Sequence, residues 1–446
     1  MKFPRIRLNS LQLLAIGFAA IILCGAGLLS LPAANRSGAA LPFPEALFTS
    51  TSATCVTGFL LHDTWTQFAP LGQFVILVLI QIGGLGFMTV AVLISLILGK
   101  RIGLKERSYL KEAVSSFHIG GVVRLSRRIL IITALMELCG AALLAVRFVP
   151  MLGLRRGAWY AIFHSVSAFC SAGFDLMGIV HPYGSISVFA SDPLFLGTVL
   201  ALTLVSGLGF IVWSDILDQG LRFSKYQLHT RIILVSTLAL TALSALALFF
   251  SERGASMAGM DVGDRLLSSV FLAATPRTMG FTTLDMASLS EMGSAVVMLN
   301  MLIGAGPGST AGGLKLSTVV VILMSLFAYT RGFEDVNIWR RRMPREIERR
   351  AHCGAMLYLC MATAGLLALL AFNEISLHDA LFDAISALGT VGLTRGATRA
   401  LSGGSQIVLM LLMFAGRLGS LSVAMALSER RHTNALRNPV EQIIVG

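Results

Sequence analysis

Apolar runs of about 20 residues alternate with short polar segments along nearly all of the 446-residue chain. At 1.5 Å per residue, runs of that length make helices that cross a hydrocarbon core of about 30 Å. The short alternating segments of a transmembrane β-barrel are not evident. The runs fall into four pairs, which predicts eight spans. The first member of each pair lies at about residues 11–31, 129–149, 231–250 and 354–372. The second lies at about 72–98, 193–217, 293–329 and 406–427. Asp192-Pro193 supplies a helix start, with Asp as the cap and Pro in the first turn. The run at 293–329 is too long for one crossing and is interrupted by IGAGPGSTAGG. The first run follows basic residues, as in a signal peptide, but is about twice as long as an ordinary signal-peptide core, so a retained span is expected.

The connections inside the pairs repeat. They read FTSTSATCVTGF (residues 48–59), FHSVSAFCSAGF (163–174), VFLAATPRTMGF (270–281) and FDAISALGTVGL (382–393). Three carry Ser-Ala, then four residues, then Gly: Ser52-Ala53 to Gly58, Ser167-Ala168 to Gly173 and Ser386-Ala387 to Gly392. The third keeps the spacing with Ala274-Thr275 to Gly280. The four glycines are 115, 107 and 112 residues apart, about a quarter of the chain each time. A glycine cluster in each second run keeps step, ending at Phe87, Phe210, Gly308 and Gly419. It follows the turn glycine by 28, 36, 28 and 27 residues, the longer interval fitting an insertion in MGIVHPYGSISVFASDP. One small-residue cluster in a helix marks close packing; four in phase with four turns mark an internal repeat. The expected fold is an all-α integral membrane protein of four tandem span–P-loop–span units, at 1–105, 106–222, 223–340 and 341–446. Eight transmembrane helices and four re-entrant pore helices would surround one pseudo-fourfold pore.

Charge sharpens the orientation. Hydrophobic residues make up 55% of the chain and charged residues 13%, about half the usual share for a soluble protein. The formal net charge of +12 suggests a nucleic-acid partner until the basic residues are placed. Twenty-four of the 35 lie at the two ends or between pairs, nine lie within pairs, and Lys315 and Arg417 fall inside spans. That bias is the positive-inside pattern. It predicts cytoplasmic termini, outward-facing P-loops, a lipid bilayer as the partner surface, and no nucleic acid. The six cysteines lie in or beside apolar segments without metal-ligand spacing and read as small apolar residues.

Irregular backbone at membrane depth is tolerated only where protein buries it or it lines a watery cavity. Four such turns converging on one axis would offer backbone carbonyls, the group that replaces water around a dehydrated cation. The fourth turn, Thr390-Val391-Gly392, also matches the first three residues of the TVGYG filter of potassium channels.

The P-loops, the eight spans and the sequence IGAGPGSTAGGLKLST together resemble the Trk/Ktr/HKT superfamily of potassium transporters over essentially the whole chain. The Ktr branch is the nearer match, because Trk members carry two further N-terminal spans. The resemblance implies a filter at Val56, Thr57, Gly58, Ser171, Ala172, Gly173, Thr278, Met279, Gly280, Thr390, Val391 and Gly392, holding potassium in transit. Glycine at all four filter positions is the potassium-type pattern; Ser171 stands where the family often has Asn. The resemblance also implies an intramembrane gating loop, with Gly304, Gly306, Pro307, Gly308, Ser309, Gly312, Gly313 and Lys315, and a pore arginine at Arg417. It further implies a homodimer, a cytoplasmic nucleotide-binding ring of RCK type, sodium as an activator, no bound organic cofactor, and a bacterial plasma membrane location.

Arg417 has two readings: a barrier to cations beneath the filter, or a packing lock on backbone carbonyls. Lys315 has two as well: a part of the gate, or a side chain that snorkels to the cytoplasmic interface. Glu45, Asp63, Asp175, Asp285 and Asp383 could form an acidic vestibule, or could be caps and arginine partners. His164 reads as a satisfied polar residue, and Glu137 and Asp215 as groups turned toward other helices or the cytoplasmic boundary. The competing function is a sodium- or proton-coupled porter, which would show an inverted repeat around a midplane site. No convergent set of catalytic side chains suggests an enzyme, and no dinucleotide fingerprint is present.

Overall fold

A computed structural model of the chain describes residues 10–86 and 122–419. The basic residues at 2–7, 100–111 and 430–437, and the far parts of the runs at 72–98 and 406–427, lie outside the described residues.

The described chain is almost wholly helical. In order run α1 (Ser10–Leu29), α2 (Phe43–Thr54), α3 (Pro70–Leu85), α4 (Val122–Leu152), α5 (Leu154–Cys170), α6 (Pro193–Gly207), α7 (Phe210–Gln219), α8 (Leu228–Ser251), α9 (Val262–Ala274), α10 (Glu291–Leu302) and α11 (Leu316–Thr330). A two-residue hairpin, β1 (Asn337–Ile338) with β2 (Arg341–Arg342), leads to α12 (Arg345–Phe372), α13 (Leu377–Gly389) and α14 (Gly403–Leu418). Four of these helices, in α1, α4, α8 and α12, are long and apolar enough to cross a membrane. They correspond to the first run of each pair and extend past the expected limits at the N-terminal end of the last three. Exposed Leu135, Leu138, Leu238, Leu243 and Leu367 face outward from them, as a hydrocarbon solvent requires.

The second runs behave differently. Continuous spans at 72–98, 193–217 and 406–427 were the expectation, with a break only in the run at 293–329. Instead α3 ends at Gly86, α14 ends at Gly419, and α6 meets α7 at an angle of 92° around Gly209. Gly86, Gly209, Gly308 and Gly419 all have positive φ, from 66° to 95°. Those dihedrals close off a right-handed helix and are readily adopted only without a Cβ. The clusters are therefore helix breaks as well as close-packing sites, since a Cβ on Gly83 or Gly416 would lie 2.0 Å from Thr54 O or Leu388 O.

Starts are set by ordinary caps. The Asp192 carboxylate accepts from Leu194 N and Phe195 N ahead of Pro193, as the sequence predicts. Ser290, Ser376 and Ser402 cap α10, α13 and α14 in the same manner. Short helices α2, α5, α9 and α13 are buried along their C-terminal halves. One apolar core joins α2 and α3 to α5 and α6, a second joins α2 to α12–α14, and a third joins α8–α10 to α13. The short helices thus point their C-terminal ends into the interior, each followed by a non-helical turn.

Candidate site: a ring of four turns above a broken-helix layer

Each short helix ends in the same backbone sequence. The first turn residue is left-handed in all four: Val56 (φ 57°), Ser171 (60°), Thr278 (78°) and Thr390 (53°). Two residues later comes a left-handed glycine: Gly58 (93°), Gly173 (69°), Gly280 (76°) and Gly392 (83°). Positive φ is strained for any residue with a Cβ and most of all for β-branched ones, and three of these four first residues are β-branched.

The Ser-Ala motif explains how the turn is held. Thr57 N, Ala172 N and Val391 N donate to the carbonyls of Ser52, Ser167 and Ser386, each at 2.8 Å. Ser52 Oγ also accepts from Gly58 N, and Ser167 Oγ donates to Phe174 O. The third copy has Ala274 at that place, and Met279 N donates to Thr275 O instead.

The turns touch one another in cyclic order. A Cβ added to Gly58 would lie 2.5 Å from Ala172 O; one on Gly173, 3.2 Å from Met279 O. One on Gly280 would lie 2.7 Å from Val391 O, and one on Gly392, 2.0 Å from Thr57 O. Each glycine abuts the middle carbonyl of the next turn, and the fourth returns to the first. The Thr57, Thr278 and Thr390 hydroxyls are buried without a hydrogen-bond partner. In a folded interior such oxygens are rare.

Outside the ring lies a cavity of about 520 Å³ whose floor is the four glycines. Asp175 and Asp285 line it. Burial, with Asp63 beside it, pushes the Asp175 carboxyl up to about 7. The other acidic candidates serve elsewhere. Glu45 pairs with His62, Asp63 accepts from Thr66 N, and Asp383 accepts from Thr398 Oγ1. His164 is fully buried, with Nδ1 on Tyr160 O and Nε2 accepting from Leu176 N. Glu137 accepts from Gln81 Nε2, and Asp215 from Gln227 N.

Inside the ring, the segment between α10 and α11 folds into a compact loop. Gly304 N donates to Leu314 O, Gly306 N to Gly207 O, and Leu316 N to Ala305 O. Ser309 Oγ bonds Gly306 O, and Thr310 Oγ1 bonds Phe169 O just before the second turn. Phe210 N donates to Gly308 O, which ties the loop to the α6–α7 break, and Pro307 O sits against Gly209. A Cβ on Gly306 would meet Leu208 O at 2.5 Å; one on Gly312 would meet Thr390 Oγ1 at 2.1 Å. The loop is wedged between a helix break and the underside of the fourth turn. Gly313 (φ 71°) supplies its second left-handed corner.

Arg417, in the last turn of α14, donates to Thr310 O in this loop and to Gly83 O and Gly84 O at the end of α3. A cation near mid-membrane costs about 3 kcal/mol or more. Here the last carbonyls of a helix and its negative dipole end offset that cost. Lys315 Nζ curls back onto Ala311 O (2.7 Å) and Gly312 O (3.4 Å), so it stays with the loop and does not extend away from it. Three successive loop carbonyls, 310 to 312, are thus held by two cationic side chains. The sequence did not disclose the Gly83, Gly84 and Gly207 partners. Their signal was present in the in-phase glycine clusters.

Comparison with known proteins follows the same lines. A family profile described as TrkH, cation transport protein, matches residues 21–434. The chain is 39% identical to Ktr system potassium uptake protein B of Bacillus subtilis, over 99% of this chain and 98% of that protein. It is 36% identical to the potassium/sodium uptake protein NtpJ of Enterococcus hirae, over 100% and 99%. Against Ktr system potassium uptake protein B of Vibrio alginolyticus the identity is 32%, over 98% and 94%. The fold matches the crystal structure of the potassium transporter TrkH from Vibrio parahaemolyticus with a TM-score of 0.75 at 17% identity, covering 96% of this chain and 87% of that one. The chain belongs to the TrkH family of cation transport proteins, a family of membrane transporters and not of enzymes.

Proposed function

We propose that the chain takes up potassium through a gated, channel-like pore driven by membrane potential. Four tandem units of 1–105, 106–222, 223–340 and 341–446 supply eight spans and four pore helices, and the four turns form one filter of backbone carbonyls. The observation that carries this reading is the cyclic contact of four turns with one shared dihedral pattern. A potassium ion shed of its water needs several oxygen ligands at once, and such a ring supplies them from rigid backbone. The unpartnered Thr278 and Thr390 hydroxyls add oxygens beside the ring.

The loop at 304–315 is the gate, with Gly304, Gly306, Pro307, Gly308, Ser309, Gly312, Gly313 and Lys315, and Arg417 is its clasp. The positive charge of Arg417 raises a barrier to cations, and its bond to Thr310 O holds the loop closed. Opening requires both the loop and the guanidinium to shift. Two copies assemble as a homodimer in the bacterial inner membrane, with termini in the cytoplasm. A cytoplasmic nucleotide-binding ring, as the "Ktr system" names of the relatives suggest, drives the shift. The Enterococcus relative named for both ions favours sodium as a second transported or activating ion.

Rubidium and sodium flux into liposomes holding the purified subunit tests the assignment. Gly392→Ser should erode rubidium-over-sodium selectivity, and Arg417→Ala should raise flux several-fold. Selectivity unchanged by Gly392→Ser removes the filter reading, and an Arg417→Ala variant no faster than the parent removes the clasp. Flux strictly dependent on a sodium or proton gradient would instead favour a coupled porter.

A further inference from the structure

The second unit carries an insertion between its turn and its second span, at 177–192, that the pore reading does not use. It does not loop away into solvent. Ile186 is fully buried, and Gly178 packs so closely on the Asp63 carboxylate that a Cβ there would lie 2.0 Å from Oδ1. Its residues contact the outer segments of all three other units. Tyr183 Oη donates to Leu61 O, and Tyr183 N to Asp63 Oδ2. Ser185 Oγ accepts from Thr282 N, and the Arg399 guanidinium stacks on the Tyr183 ring at 4.4 Å. Tyr183 and Ser185 are both left-handed, with φ of 61° and 46°. Among the described residues, the four positive-φ non-glycine residues outside the filter turns all lie here and in the hairpin at 337–342. Strain of that kind persists only where surrounding contacts over-determine it.

Two arginines line the mouth cavity. Arg395 is compensated, with Nε on Asp379 at 3.0 Å and Nη1 on Ser294 Oγ. Arg399 is exposed, and among the described residues no carboxylate lies within 4.0 Å of it; its partner is the Tyr183 ring. An uncompensated cation at the mouth of a cation path opposes the attraction of Asp285.

We propose that residues 177–192 form a strap across the mouth, and that Tyr183 is a positioning residue that holds the Arg399 charge over the cavity, where it weakens the capture of incoming cations. This rests on the four turns being the ion path. The strap sets how readily cations are captured at the mouth, and the ring sets which cation passes.

The test is the rubidium concentration giving half-maximal uptake into liposomes, measured in about 0.01 M and about 0.15 M choline salt, where the Debye length is about 30 Å and about 8 Å. In the dilute salt, Arg399→Gln should lower that concentration about two- to threefold; in the concentrated salt the difference should vanish. Tyr183→Phe keeps the ring and should match the parent, whereas Tyr183→Ala frees the arginine and should shift part of the way. Adding Tyr183→Ala to Arg399→Gln should change nothing further, which a purely structural role for Tyr183 would not produce. An Arg399→Gln variant equal to the parent in dilute salt overturns the proposal, as does a difference that persists in concentrated salt. A full extra shift in the double variant overturns the positioning role. Selectivity between rubidium and sodium should be unaltered in all of these variants. Loss of selectivity belongs to substitutions in the ring, such as Gly392→Ser, so failure of the filter and failure of the strap give separate results.

Discussion

Two layers of left-handed glycines cross the molecule, and they differ in what surrounds them. In the outer layer Gly58, Gly173, Gly280 and Gly392 each face a neighbouring turn at a distance that excludes a methyl group. Every member carries the same two constraints, dihedral and space. The inner layer, Gly86, Gly209, Gly308 and Gly419, shares only the dihedral. Among the described residues nothing lies within 4 Å of a Cβ placed on Gly86, while Gly209 lies against Pro307 O. Where the chain beyond the break is described, the paths differ: α6 bends by 92° into α7, and α10 gives way to a loop that runs to Lys315. Uniformity outside suits a ring that must present equal ligands to one ion. Divergence inside suits the proposed gate, a loop in one quarter held by the elements around it.

Substitutions of the same kind at the two layers should separate these roles. The largest effect belongs to Gly280→Ala, where the added methyl would lie 2.7 Å from Val391 O at a φ of 76°. Rubidium-over-sodium selectivity should fall by about tenfold or more in protein that still elutes as the parent does on size exclusion. Retained selectivity would make the outer layer mere packing. A middle effect is expected from Gly209→Ala, whose methyl would press on Pro307 O at 2.4 Å. Pushing the loop off the α6–α7 break should raise uptake without a cytoplasmic partner about two- to fivefold while leaving selectivity intact, since only the closed state loses its bonds. Uptake no higher than that of the parent would uncouple the bent helix pair from the loop. Gly86→Ala should do least: roughly 1–2 kcal/mol of left-handed strain, read as a slightly lower melting temperature in detergent with flux and selectivity unchanged. A large change in flux there would show that α3 also moves.

The outer layer was legible in the sequence because its requirements are local and repeated. A serine carbonyl that bonds the turn, and a glycine six residues on, appear as Ser-Ala-x4-Gly wherever the geometry recurs. The third copy remained recognisable by its spacing to Gly280, although Met279 N bonds Thr275 O and not the carbonyl of Ala274. The inner layer was visible as clusters but not as breaks, since glycine in an apolar run supports close helix packing equally well. Only the positive φ at Gly86, Gly209 and Gly419 distinguishes the two, and sequence does not carry it. Arg417 stood out as an intramembrane charge, yet its acceptors are main-chain oxygens of Gly83, Gly84 and Thr310, which have no side-chain signature. The insertion at 177–192 showed up as a spacing anomaly. That it spans the mouth follows from contacts across more than a hundred residues of chain.

All four turns belong to one polypeptide. A ring assembled from four identical chains changes everywhere at once when its gene changes, so each mutation is felt four times over. Here a single codon alters one quarter, which is how Val56, Ser171, Thr278 and Thr390 came to occupy equivalent corners with different side chains. Under the proposed filter role the ring can therefore be tuned in steps of one ligand, by evolution or at the bench, without passing through a fully substituted and non-conducting intermediate.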